Sequence, residues 1–148
     1  IINNNMATTK ATISITSDII SGIPISINKE MTMKKLGSPV GLEETTGLRT
    51  KKFTATTATV VVEQDEFTDT KASKVYMRNT GSSKSDFFYV AKHASAAASD
   101  TDGETIGKLY GGNWMLIPYL GDVNITVAPS TADTMTLEYM VFAEGMLS

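Results

Sequence analysis

The sequence predicts an all-β protein: an antiparallel β-sandwich with jelly-roll-like closure and an extended amino-terminal arm. Three observations predict it. Apolar and polar residues alternate with period 2 in segment after segment, as in strands with one buried face. Gly, Pro, Asn and Asp punctuate those segments at the roughly 8–12-residue spacing of sandwiches and barrels. Thr and Ser dominate the polar positions, and the branched Cβ of Thr suits a pleated sheet. A chain of 148 residues is one domain by length, large enough to bury about 70% of its unfolded surface. The expected division is an arm over residues 1–10 and a single sandwich domain over 11–148.

The arm opens Ile1-Ile2-Asn3-Asn4-Asn5, and Met6-Ala7-Thr8-Thr9-Lys10 reads as a conventional start. Residues 1–5 are therefore expected to come from an upstream start or a misplaced boundary, and they carry no secretory pattern. Thr12, Ser14 and Thr16 alternate with Ile13 and Ile15, which predicts a first strand. Ile23, Ile25 and Ile27 predict a second, with Gly22 as the bend between them and Pro24 marking an edge or irregular strand. Met31-Thr32-Met33 alternates briefly. Leu36 to Gly47 holds four loop-forming Gly and Pro residues. Leu48 to Ala55 and Thr56 to Val62 read as strands, and the acidic stretch Glu63 to Lys71 as a loop that turns Phe67 inward.

The second half is more regular. Val75 to Thr80 and Phe87 to Ala91 are strands around a Gly81-Ser82-Ser83 turn. Ala94 to Asp102 is a small-residue loop with room for one helical turn at Ala96-Ala97-Ala98. Thr105 to Tyr110 and Trp114 to Ile117 are strands joined by Gly111-Gly112-Asn113, a hairpin turn without the lysine or following helix of a phosphate loop. Asp122 to Val127 and Thr134 to Ala143 are the last two strands. Trp114, Leu116, Ile125, Leu137 and Tyr139 are the expected core at this end.

Composition excludes several functions. There is no Cys and a single His, so thiolate zinc sites, disulfides, cysteine nucleophiles and multi-histidine sites are ruled out. The net charge of -3 gives no basic field for nucleic acid. No apolar run reaches the ~20 residues of a membrane-spanning helix. Neither a catalytic residue, a cofactor nor a metal is expected.

The remaining chemical candidates are few. His93 lacks an evident partner to orient it for acid–base work. Asp100-Thr101-Asp102-Gly103-Glu104 echoes the start of a calcium loop, but the third ligand, the later Glu and the flanking helices are missing. Glu43-Glu44 and Glu63, Asp65, Glu66 and Asp69 offer paired carboxylates without the aromatic-lined cleft of a glycosidase. Tyr110, Trp114 and Tyr119 form a ligand platform only if they point outward together. The basic stretch Arg49, Lys51 and Lys52 is the expected partner-binding surface, suited to an acidic neighbour.

Five stretches carry a resemblance: Val75-Tyr76-Met77-Arg78-Asn79-Thr80, Phe88-Tyr89-Val90, Ile106-Gly107-Lys108-Leu109, Gly112-Asn113-Trp114-Met115-Leu116-Ile117-Pro118 and Leu137-Glu138-Tyr139-Met140-Val141-Phe142. Over residues 75–144 the chain resembles small virion structural proteins of tailed bacteriophages. The resemblance implies a non-enzymatic protein of the virion, with decoration (cement) of the head's outer surface as the expected role. Its expected partners are the major capsid protein or other virion proteins and further copies of itself, with neither nucleic acid nor membrane. A carbohydrate- or receptor-binding sandwich of a tail or fibre is the alternative. Eight Met residues suit adaptable contacts, although Met115 and Met135 fit core positions better.

Overall fold

The computed structural model describes residues 8–34, 42, 44–64, 66, 73–93, 95 and 97–144. Among them lie eleven strands and no helix: β1 (Thr9–Ser17), β2 (Ile25–Met33), β3 (Glu44–Thr45), β4 (Arg49–Phe53), β5 (Thr59–Val62), β6 (Ser73–Asn79), β7 (Phe87–His93), β8 (Thr105–Tyr110), β9 (Trp114–Tyr119), β10 (Asn124–Pro129) and β11 (Met135–Ala143). Residues 1–7 of the expected arm, the expected inward turn of Phe67, and Ala96 fall outside the described residues.

Among the described residues, β1 and β2 pair only with each other. The other nine strands form two antiparallel sheets. The smaller has the order β5-β10-β7-β8, and the larger runs β3-β11-β6-β9 with β4 also on β11. β3 meets β11 at Phe142 and Ala143, and β4 meets it from Met135 to Tyr139. They are two halves of one edge strand. The break between them is closed by Thr46, whose N–H donates to the Val141 carbonyl (3.2 Å) and whose hydroxyl accepts the Val141 N–H (3.0 Å). With that edge taken as the first of eight strands, the first pairs with the eighth, the second with the seventh, the third with the eighth and sixth, and the fourth with the seventh and fifth. Such nested pairing of early with late strands is a jelly roll.

The core lies between the sheets and comes from alternate residues. β6 turns Val75 and Met77 inward and Tyr76 and Arg78 outward; β11 turns Leu137, Tyr139 and Val141 inward and Glu138 and Met140 outward. Opposite them stand Phe88, Val90, Ile125 and Val127 of the smaller sheet. Phe53 meets Phe88 edge to face at 5.3 Å between ring centres, a favoured geometry for aromatic pairs.

Ile125, Leu137 and Tyr139 occupy the core as expected, but Trp114 and Leu116 do not. Trp114 pairs across the ladder with outward Arg78, and Leu116 with outward Tyr76, so both lie on the outer face of the larger sheet. Trp114 is 52% exposed, and Met115 and Ile117 pack on the core instead. Four consecutive apolar residues carry no phase of their own, so only the pairing decides which pair faces inward.

Asn79 ties one end of the sandwich together. It is buried, its side-chain amide donates to the Leu109 carbonyl (3.0 Å), and its Oδ1 accepts the Gly81 N–H (3.0 Å). Its main chain bonds both Gly112 and Asn113 of the β8–β9 turn.

Candidate docking surfaces

Most of the exposed large apolar side chains among the described residues lie on the ribbon formed by β1 and β2 and its tip. The ribbon's nine pairs run without a bulge from Thr9 opposite Met33 to Ser17 opposite Ile25. Paired residues share a face. One face therefore gathers Ala11, Ile13, Ile15, Ile25, Ile27, Met31 and Met33, with Lys29 its single charge. The other carries Lys10, Thr12, Ser14, Thr16, Ser26, Asn28, Glu30 and Thr32, all polar, with Lys10 bound to Glu30 at 2.8 Å. The connecting tip adds Ile19, Ile20 and Ile23; it is closed by the Ile23 N–H donating to the Ile20 carbonyl (3.1 Å) and by Gly22 at φ +81°.

The sequence assigns Ile13, Ile15, Ile23, Ile25 and Ile27 to strands with one buried face. Instead, Ile13, Ile15, Ile25 and Ile27 are 38–44% exposed and Ile19 is 85% exposed, and only Met33 at the base is buried. The apolar face continues into a groove of about 740 Å³ between the ribbon base and the outer face of the larger sheet. Met31, Met33, Trp114, Leu116 and Phe142 are among its lining residues.

The basic stretch does not form one patch. Strand alternation puts Arg49 and Lys51 on one side of β4 and Lys52 on the other. Arg49 is paired with Glu66 at 2.8 Å, and Lys51 lies over the Phe53 ring at 5.6 Å. Lys52 is exposed.

The acidic loop does not converge either. Asp100 is held by Lys108 at 2.8 Å and by the Tyr89 hydroxyl at 2.9 Å. Asp102 Oδ1 accepts the Glu104 N–H (3.0 Å), and its Oδ2 faces His93 at 3.7 Å. Among the described residues no group of three or more His, Asp and Glu side chains is placed to hold a metal ion. His93 has acquired neighbours that a linear reading misses: Glu104 at 3.8 Å from Nε2 and the Ser95 hydroxyl at 3.0 Å from Nδ1. The Ser95 N–H also donates to Nδ1 at 2.9 Å. That main-chain bond occupies the lone pair a general base would need for the hydroxyl proton.

Tyr110, Trp114 and Tyr119, which would make a platform only if they faced outward together, point in three directions. Tyr119 is buried, with its hydroxyl donating to the Val123 carbonyl at 2.6 Å. Trp114 lies outside the larger sheet. Tyr110 pairs with Phe87 outside the smaller one. A different cluster forms there. Phe87 meets Tyr89 edge to face (4.9 Å) and Tyr110 at a tilt (5.1 Å), and Lys108 sits over Phe87 (4.8 Å) and Tyr89 (5.3 Å). Hydrogen bonds from Lys108, then Tyr89, hold the Asp100 carboxyl below its ordinary value of 3.8. The bond to Asp100 in turn raises Lys108 above 10.5 and Tyr89 above 10.0. A shallow groove of about 470 Å³ beside it is lined by Phe87, Tyr89, Ala98 and Ser130, among others.

No protein-family model matches the chain, and no curated protein does. One solved structure that resembles it comes from a study of Bacillus endospore appendages that form disulfide-linked pili. It is 15% identical, with a TM-score of 0.41, over 72% of this chain and 96% of that one.

Proposed function

We propose that the chain is a non-enzymatic structural component of an assembled particle, and specifically a decoration (cement) protein on the outer surface of a phage head. The observation that carries the assembly role is the ribbon. The isoleucines and Met31 of one face are left largely exposed by the described residues, while the opposite face is wholly polar. Large exposed apolar patches mark interaction sites. An isolated two-stranded hairpin is at best marginally stable in water, so a ribbon of this length gains its firmness from what it docks on. The virion setting rests on the resemblance of residues 75–144 described above.

A map of the native assembly tests the proposal. Density for the sandwich at regular positions outside the shell, with the ribbon pointing into a contact, is the expected result. Finding the chain at a tail tip or fibre overturns decoration in favour of the alternative, a carbohydrate- or receptor-binding module. The outer-face cluster of Phe87, Tyr89, Tyr110 and Lys108 is the feature that favours that second reading, and glycan binding lost in Tyr89→Ala would support it.

A further inference from the structure

We propose that the ribbon docks on a second copy of this chain, the two ribbons lying face to face and antiparallel about a two-fold axis near the Ile15–Ile27 pair. This identifies the occupant of the surface on which the proposed assembly role rests.

Three features of the molecule select this occupant and this direction. The first is self-complementarity. A two-fold contact brings one patch against itself, and an apolar face with one charge meets its own copy without opposing a row of buried charges. At their observed exposures the eight apolar side chains of the ribbon and its tip leave on the order of 700 Å² uncovered, close to the ~800 Å² each partner gives to a stable complex.

The second is charge. Lys29 is the only charge on the apolar face, and Asp18, in the tip directly after β1, is the only carboxylate there. Neither has an ion-pair or hydrogen-bond partner among the described residues. Lys29 lies one same-face pair from Ile15–Ile27 toward the base, and Ser17–Ile25 lies one pair toward the tip. Antiparallel packing therefore carries Lys29 of each ribbon to the tip of the other, at about the level of Asp18. Parallel packing would set Lys29 against Lys29.

The third is shape. Centred on Ile15–Ile27, the antiparallel pair brings Ile19, Ile20 and Ile23 of each tip to the level of the other ribbon's base. The groove of about 740 Å³ lies there, with Met33, Trp114, Leu116 and Phe142 in its wall and Lys10, Lys29, Glu30 and Arg78 also along it. The tips fill it and cover the indole of Trp114, which is 52% exposed.

The full chain should sediment as a dimer, and the emission of its single Trp should move to shorter wavelength as concentration rises through the dissociation constant. Ile15→Asp should weaken the dimer at least ~10-fold. Lys29→Asp and Asp18→Lys, at exposed positions where misfolding is not at issue, should each weaken it, and the double exchange should restore it. Because the chain has no Cys, Ile27→Cys should give a disulfide-linked dimer on oxidation, while Ser26→Cys on the polar face should not. A wild-type chain that stays monomeric at its highest soluble concentration overturns the pairing, as does a dimer insensitive to Ile15→Asp or a charge exchange that fails to recover. A monomer that still decorates its particle through the ribbon overturns only the pairing. A dimer that binds no particle overturns only the decoration role.

Discussion

Leu137 and Trp114 illustrate at the residue scale what the ladder decides. Leu137 is fully buried at the centre of the core, so Leu137→Ala should lower stability by about 2–5 kcal/mol. Trp114→Ala removes a larger side chain from an exposed position and should change the unfolding free energy of the monomer by less than Leu137→Ala. Equilibrium denaturation of the two variants checks the order. Gly111 makes a second prediction. A Cβ there would lie 2.3 Å from the Ser83 carbonyl oxygen and 2.8 Å from its nitrogen, both main-chain atoms that cannot swing aside. Gly111→Ala should cost about 1–3 kcal/mol, as overpacking does. Gly112→Ala meets open space but keeps φ at +80°, and should cost about 1–2 kcal/mol through backbone strain alone. At this scale the sequence is informative where alternation is clean, as at Leu137 and Ile125, and silent where a run is uniformly apolar, as from Trp114 to Ile117.

At the scale of elements, pairing converts linear neighbours into separated residues and distant ones into clusters. Arg49, Lys51 and Lys52 look like one basic patch along the chain, yet β4 divides them between two faces and gives Arg49 to Glu66. Phe87, Tyr89, Tyr110, Lys108 and Asp100 come from three segments, and only the β7–β8 register brings them together. The pH response of that cluster has a definite sign. Lys108 and Tyr89 lower the Asp100 pKa in the folded state, so the folded chain binds this proton less readily than the unfolded one. The stabilisation is present above the ordinary carboxyl value of 3.8 and is lost as pH falls through the lowered folded value. Asp100→Asn should therefore reduce stability at neutral pH and flatten the acid limb of the stability profile below about pH 4. The group is solvent-exposed, so the effect should shrink with added salt. Thermal melts across pH 2–7 at two ionic strengths check both parts. The linear sequence does not carry the direction of this effect, because the partners of Asp100, Tyr89 and Lys108, are brought to it only by the fold.

At the scale of the whole molecule, the sandwich and the ribbon are stabilised in different ways. The alternation of the ribbon strands states correctly that one face is apolar. It does not state what covers that face, and for β1 and β2 nothing within the described chain covers more than Met33. The jelly roll, by contrast, contains its own core, to which the ribbon contributes almost nothing. Replacing residues 11–31 by a short turn should therefore leave the sandwich folded, with a melting temperature within a few degrees of the parent when both are monomeric. Hydrogen exchange gives the finer measurement. Amides of β6, β7, β10 and β11, central in their sheets, should open only with global unfolding. Ribbon amides in a dilute monomer should open locally and exchange orders of magnitude faster, because few buried apolar contacts hold them. On docking, the apolar face is removed from water, and the same amides should slow toward the protection of the core. Ribbon amides already protected as strongly as β6 in the monomer would mean that the hairpin is stable alone, and that its exposed isoleucines need no partner.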